Sequence, residues 1–442
     1  MIQLIRRPDQ YTPSGNPVIF QVESNNPDLA HFKVKVSDTA TGALLNQLAI
    51  HPTPNYQSGS YVDLSKILDN TVRYELNTDS FSLVTPITRT VRGYDVSVEE
   101  ILVQNGVLVT GATLNDSGYV FSANLGRITA HNFQQVAYVI NQSSIARFLT
   151  LKPNYSKVND VSSEYLYLIH DGSFSNLFVR VRTFNASGVV ESIQEELDLS
   201  FQAHRLNVSP KSLTDSSSLD FSGVSYYVVD LVDHMGVARS EERVYLYEPL
   251  PCNLEVINVL FVNSLGGLDS YQFAAPQDSI NVTRTMMKKN TFGLNEDGVY
   301  TDMYQNVYNA SDVVLNSTVV TSTKMYSRAL SDEEARWLAE LYISRQVFIE
   351  LPDGALVPAI LKDTSYQIQR ARYMSGQLNT ISIDLTLSDG ILPAGVTAYS
   401  SRRSSIEFID SQMNALVLNI PGYGINPQTG RHYSSNYSQN YR

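Results

Sequence analysis

One cysteine, Cys252, stands among 442 residues, so no intramolecular disulfide framework can hold this chain together. That usage fits folding in a reducing cytoplasm. Long apolar runs are missing too. No segment reaches the roughly 20 apolar residues of a membrane-spanning helix, and the N-terminus, MIQLIRRPDQ, lacks the apolar stretch of a signal peptide. Neither a membrane span nor secretion is therefore expected, and the sequons at Asn141, Asn185, Asn281 and Asn309 read as by-products of an Asn- and Ser-rich composition. Charge is scarce at 17% and its balance is −12, which argues against a nucleic-acid grip but leaves room for DNA to pass nearby. The seven histidines form no His-x-x-x-His pair, which argues against zinc. A nucleophile elbow, a Walker loop and a Rossmann glycine pattern are absent as well, and Gly422-x-Gly424 lacks the third glycine. No catalytic residue, cofactor or metal site is expected.

What the chain does have is strand-forming residues. Twenty-seven tyrosines and 43% apolar residues are enough to fill several β-cores, and the length calls for two to four domains. The expected class is all-β and multi-domain, with immunoglobulin-like sandwiches and a β-barrel-like unit holding one amphipathic helix. In residues 1–92, Val18, Phe20 and Val22 alternate, as do Phe32, Val34 and Val36, and Asp63–Leu68 suits a single helical turn. Residues 93–250 form a second β-rich unit, where Glu164–His170 and Asn176–Phe184 suit a hairpin across Asp171-Gly172. There Tyr165, Tyr167 and Ile169 would face Val179 and Val181. A second hairpin joins Val224–Val232 to Arg243–Tyr247 around Gly236.

Residues 251–395 contain the helix. Ser331 caps it, Glu334 completes a capping box, and three acids occupy the first turn over Ser331–Ser344. Trp337, Leu338, Leu341 and Tyr342 make one apolar stripe, which reads as structural core for a barrel built from Leu254–Val262, Val347–Glu350, Ala355–Leu361 and Thr380–Ser388. The single tryptophan reads as core ahead of a sugar platform. The doublets Glu99-Glu100 and Glu241-Glu242 read as solvated surface, because neighbours on a strand point to opposite faces.

Residues 396–442 differ in kind. A short hairpin is expected from Ile406–Ile409 and Ala415–Ile420, followed by GYGINPQTGRHYSSNYSQNYR, a Tyr/Ser/Asn-rich arm with too little aliphatic surface for a core. Tyr423, Tyr433, Tyr437 and Tyr441, with Arg431 and Arg442, are the candidate interface, the tyrosines as anchors and the arginines facing acidic surface on a partner.

Four stretches carry a resemblance: RFLTLKPNY (147–155), SSEYLYLIHDGS (162–173), VYLYEPLPCNLEVINVLFVNSLGGLDSYQF (244–273) and the Trp helix with its hairpin (330–367). As an ordered set spanning roughly residues 95–390, they resemble virion structural proteins of tailed phages of Bacteroidetes, crAss-like phages included. The resemblance implies a tail, neck or baseplate component: copies of itself in a sixfold or twelvefold ring, next to portal, tail or other ring proteins, located in the virion after assembly in the host cytoplasm. It carries over no catalytic residue. The alternatives are a carbohydrate-binding adhesin or receptor-binding protein and a phage depolymerase, although no short repeat of a trimeric β-helix is present.

Overall fold

A computed structural model describes residues 2–54, 56, 58–76, 82–217, 219–251, 254–288, 293–294, 296–301, 312–351, 354–363, 365–366, 379–387, 423–425 and 432–434. Strands make up 54% and helices 10%, so the chain is all-β and multi-domain, as its composition predicts.

The first sandwich opens with Ile2–Arg6 (β1), Tyr11–Pro13 (β2), Ile19–Ser24 (β3), Leu29–Asp38 (β4), Leu44–Ile50 (β5) and Gly59–Asp63 (β6), then a helical turn at Ser65–Asp69 (α1). The chain leaves through Val84–Ile87 (β7) and returns with Val91–Gln104 (β8) and Val107–Phe121 (β9). Its two sheets run β1-β3-β6 and β2-β9-β8-β4-β5. Phe20, Val22, Phe32, Val34 and Val36 fill the core, as their alternation requires. The expected boundary at 92/93 falls inside β8. Val96 and Val98 of β8 lie opposite Val36 and Val34 of β4 and share their core, a long-range pairing that local pattern does not reveal. Glu99 pairs with Lys33 and Lys35, whereas Glu100 is buried beside a register shift between Glu99 and Ile101, which corrects the reading of that doublet as surface.

The middle sandwich follows a short helix, Arg127–Asn132 (α2). It contains Val139–Ile140 (β10), Tyr155–Val158 (β11), Tyr165–His170 (β12), Leu177–Asn185 (β13), Gly188–Glu196 (β14), Ala203–Asn207 (β15), the helix Pro210–Ser217 (α3), Tyr226–Asp233 (β16) and Arg243–Tyr247 (β17). One sheet is β10-β12-β15-β7, the other β11-β17-β16-β13-β14. The β16–β17 pair forms as expected. The hairpin across Asp171-Gly172 does not. Strand β12 pairs with β15, β13 pairs with β14 and β16, and the link between β12 and β13 crosses from one sheet to the other. The reason is that β12 is buried on both faces: Leu166 and Leu168 face Val179 and Val181, while Tyr167 and Ile169 enter a different core.

The third unit is a closed six-stranded barrel, β18-β19-β22-β25-β24-β23. Its strands are Val256–Val262 (β18), Leu268–Lys288 (β19), Asp312–Tyr326 (β22), Val347–Glu350 (β23), Leu356–Leu361 (β24) and Ser382–Leu387 (β25), with the short pair Gly293–Leu294 (β20) and Tyr300–Thr301 (β21) between the second and third. Ser331 caps the helix and the capping box is complete. The stretch is not one continuous helix. It breaks at Leu338 into Asp332–Trp337 (α4) and Ala339–Ile343 (α5); Trp337, Leu338 and Leu341 are all in the barrel core, with Tyr342 packed against it and stacked on Tyr366. Beyond the barrel, Tyr423–Ile425 (β26) pairs with His432–Ser434 (β27). Cys252, Arg431, Tyr437, Tyr441, Arg442 and the hairpin expected over 406–420 lie outside the described residues.

Candidate functional site at the seam of the three units

A fourth apolar core belongs to no single unit. Tyr11, Phe121 and Leu125 of the first unit, Leu149, Tyr167 and Ile169 of the second, and Leu260, Leu265, Leu268 and Phe348 of the barrel bury one another. Its centre is the turn Leu265-Gly266-Gly267. Asn263 folds the turn by accepting the N–H groups of Leu265 and Gly267 at 3.0 and 2.9 Å, and donates to the Leu149 carbonyl at 2.9 Å. Gly266 has φ +85°, and a Cβ there would lie 1.9 Å from the Ser122 carbonyl oxygen. Only glycine fits so close an approach.

A buried polar network lines the same seam. Lys152 donates to both carboxylate oxygens of Glu164, at 2.6 and 2.7 Å, and to the Ser270 carbonyl at 3.0 Å. It also lies over the Trp337 ring, 5.1 Å from the centroid. The Trp337 indole N–H donates to Asp269 at 2.6 Å. Burial raises the Asp269 carboxyl above the usual carboxylate range, against the lowering effect of that bond. Ser264 donates to Glu340, whose carboxyl is pushed up to about 7, first by burial and then by the Asp269 charge. Glu350 is raised by burial while accepting from Ser163 and Asn258. In the middle unit His170 and His204 stack at 5.5 Å, next to the seam residues Ile169 and Ala203. Burial lowers both, His204 to about 4 with His170 as the second cause.

Between middle unit and barrel lies a cleft of about 240 Å³, lined in part by Asn159, Asn258, Gln272, Tyr271 and Arg328. Its cations already have partners: Lys152 on Glu164, Lys157 on Glu248 and Arg328 on Glu334. The network therefore suits holding surfaces together, with no charge left over for an anion. Among the described residues, no group of three His, Cys, Asp or Glu side chains is placed to hold a metal.

Glu340 gives a pH test. Its folded value lies above the unfolded one, so its contribution is complete below about pH 4.5 and is lost as pH rises through 7. The loss is roughly 3 kcal/mol, at about 1.4 kcal/mol per unit. Glu340→Gln removes the titration. Its stability relative to the unmodified chain is expected to improve steadily from pH 4.5 to pH 8, read by chemical denaturation at both. A difference that stays constant across that range would show that Glu340 does not titrate there.

Of the residues expected to matter, Trp337, Leu338 and Leu341 are buried in the barrel. Tyr423 and Tyr433 fall in the paired strands β26 and β27, and the rest of the expected interface set is outside the described residues. The seam acids went unread, although Glu340 stands three residues after Trp337 on the same stripe, a spacing that faces it inward.

No family model matches this chain, and no curated protein matches it. Among solved structures it is similar to Dpr2 Ig1-Ig2 in complex with DIP-Theta Ig1-Ig3, at 10% identity and TM-score 0.15, over 56% of this chain and 98% of that one. A bacterial ice-binding adhesin of 1.5 MDa matches at 11% identity and TM-score 0.17, over 74% and 92% of the two chains. CBD12 from CALX1.2 matches at 9% and 0.15, over 50% and 77%. Scores this low carry no argument about function. The strand content and sheet order of the chain itself make it an all-β protein of two immunoglobulin-like sandwiches and a helix-plugged barrel.

Proposed function

We propose that this chain is a structural component of a tailed-phage virion, one subunit of a ring in the tail or neck between portal and tail, working through protein–protein contacts and without catalysis. The observation that supports this reading is where the resemblance converges. Its four stretches are spread between residues 147 and 367, and each contributes to the seam: Leu149 and Lys152 from the first, Glu164 and Tyr167 from the second, Leu265 and Asp269 from the third, Trp337 and Phe348 from the fourth. A shared pattern kept at the joint between units suits a part that must hold its shape between neighbours. A second reading, a carbohydrate-binding adhesin, draws on the amide-lined cleft.

Mass spectrometry of purified phage particles is the test. The chain is expected in whole-number multiples per particle, consistent with a closed ring. Its absence from particles, with binding to host surface glycans instead, would replace the first reading with the second.

A further inference from the structure

The longest strands of the barrel outrun it. Strand β19 pairs with β18 only as far as Ala274, and β22 meets β25 only from Ser322 onward. Residues 280–288 and 312–321 therefore pair only with each other, as a two-stranded ribbon beyond the barrel wall. One face of this ribbon carries Ile280, Val282, Met286 and Val314, the other Met287 and Val320, and all six are exposed. A ribbon that lives in water is polar on both faces, and one lying on its own domain is apolar on one. An isolated two-stranded ribbon is also at best marginally stable in water. This one carries the marks of a segment enclosed by a partner.

Area and charge identify the partner. Residues 280–288 at about 3.3 Å each give a ribbon about 30 Å long, and two strands make it about 10 Å wide. Its two faces together offer about 600 Å², the lower end of the share one partner contributes to a standard interface. Arg284 and Lys288 are exposed on it and make no ion pair among the described residues, on a chain whose balance is −12. Among the described residues, three other open edges of seven residues or more are available. Strand β5 has no charged residue, and the acid on the free part of β9, Asp116, faces Arg7 at 3.9 Å. Strand β14 has Glu191 and Glu195 on one face, at the same four-residue spacing as Arg284 and Lys288, with Val189 and Val190 exposed; Glu196 is on the other face and accepts from Asn176, and the strand's other edge is taken by β13.

We propose that the ribbon is the arm by which one copy of this chain holds the next, laid along the open edge of β14 with Arg284 and Lys288 against its glutamates. Arm and receiving edge are different surfaces, so the contact is head-to-tail and closes into a ring or propagates. The closure into a ring rests on the virion reading; the contact itself does not.

The test is native mass spectrometry and sedimentation of the purified full-length chain, whose monomer is 49.3 kDa. The unmodified chain is expected to associate at micromolar concentration. Arg284→Glu with Lys288→Glu is expected to weaken association at least tenfold, as is Glu191→Lys with Glu195→Lys. The two reversals mixed as separate chains, each supplying the other's partner, are expected to restore it. Circular dichroism should be unchanged in both variants, since none of the four positions is buried. A chain that stays monomeric at tens of micromolar, association indifferent to the ribbon variant, or indifference to the β14 variant would each overturn the proposal. Particles containing the chain with no self-association in solution would remove this contact and leave the virion reading standing. Self-association with no copies in particles would do the reverse.

Discussion

Trp337→Ala is expected to destabilise the protein by roughly 3–5 kcal/mol, the usual cost of deleting a large buried aromatic. The side chain is 4% exposed and packs against Phe261 at 5.7 Å and Tyr271 at 6.2 Å. Its loss also strips the only indole donor from Asp269, a carboxyl that burial already disfavours in its charged form. Trp337→Phe separates the two effects, because it keeps most of the packing and leaves an acceptor unmet at about 1–3 kcal/mol. Chemical denaturation followed by circular dichroism is the measurement, since the sole tryptophan reports fluorescence only in the unmodified chain. An alanine variant that unfolds at the same denaturant concentration would mean that the indole is not part of the core.

Lys152→Ala is expected to cost a similar 3–5 kcal/mol, because removing one partner strands the other charge in a buried site. The pair's side chains are only 9% and 8% exposed. The sign is tested by a second variant. Replacing both, Lys152→Met with Glu164→Met, removes the buried charges together and is expected to recover most of the loss, since apolar replacement of a buried pair is often neutral. If the double variant is no more stable than Lys152→Ala, the pair is contributing more than mutual neutralisation. If the single variant unfolds like the unmodified chain, water reaches Glu164 and the seam is not sealed.

Much of the barrel was legible because its signals are local. The capping box at Ser331 and Glu334, the alternation of Ile381, Ile383 and Leu385, and the glycine turn after Val262 each specify a short piece of backbone through neighbours in sequence. The errors fall where partners are distant. Period-2 alternation states which residues share a face but not which strand lies beside them, so β12 was assigned to β13 when both of its own faces were to be buried. Strand β8 was divided at residue 92 for the same reason: its partner, β4, lies more than fifty residues earlier. The ribbon is hidden in the same way, because residues 280–288 and 312–321 are well separated in sequence and no local signal pairs them. The seam acids were hidden differently. A lone Asp269 beside Leu268 looks like any solvated acid until the tryptophan that bonds it is placed.

The glycine turn between β18 and β19 has a mechanical consequence. Because Gly266 sits against the Ser122 carbonyl and its neighbour Ser264 accepts the Asn124 N–H at 2.9 Å, the barrel is keyed directly into the last strand of the first sandwich. The middle unit is gripped from the same turn through Leu149. Three modules joined by linkers would bend at each joint and yield one at a time under load. This chain instead passes tension and torque through a shared interior, so a push on the barrel arrives at the N-terminal sheet as displacement rather than as slack.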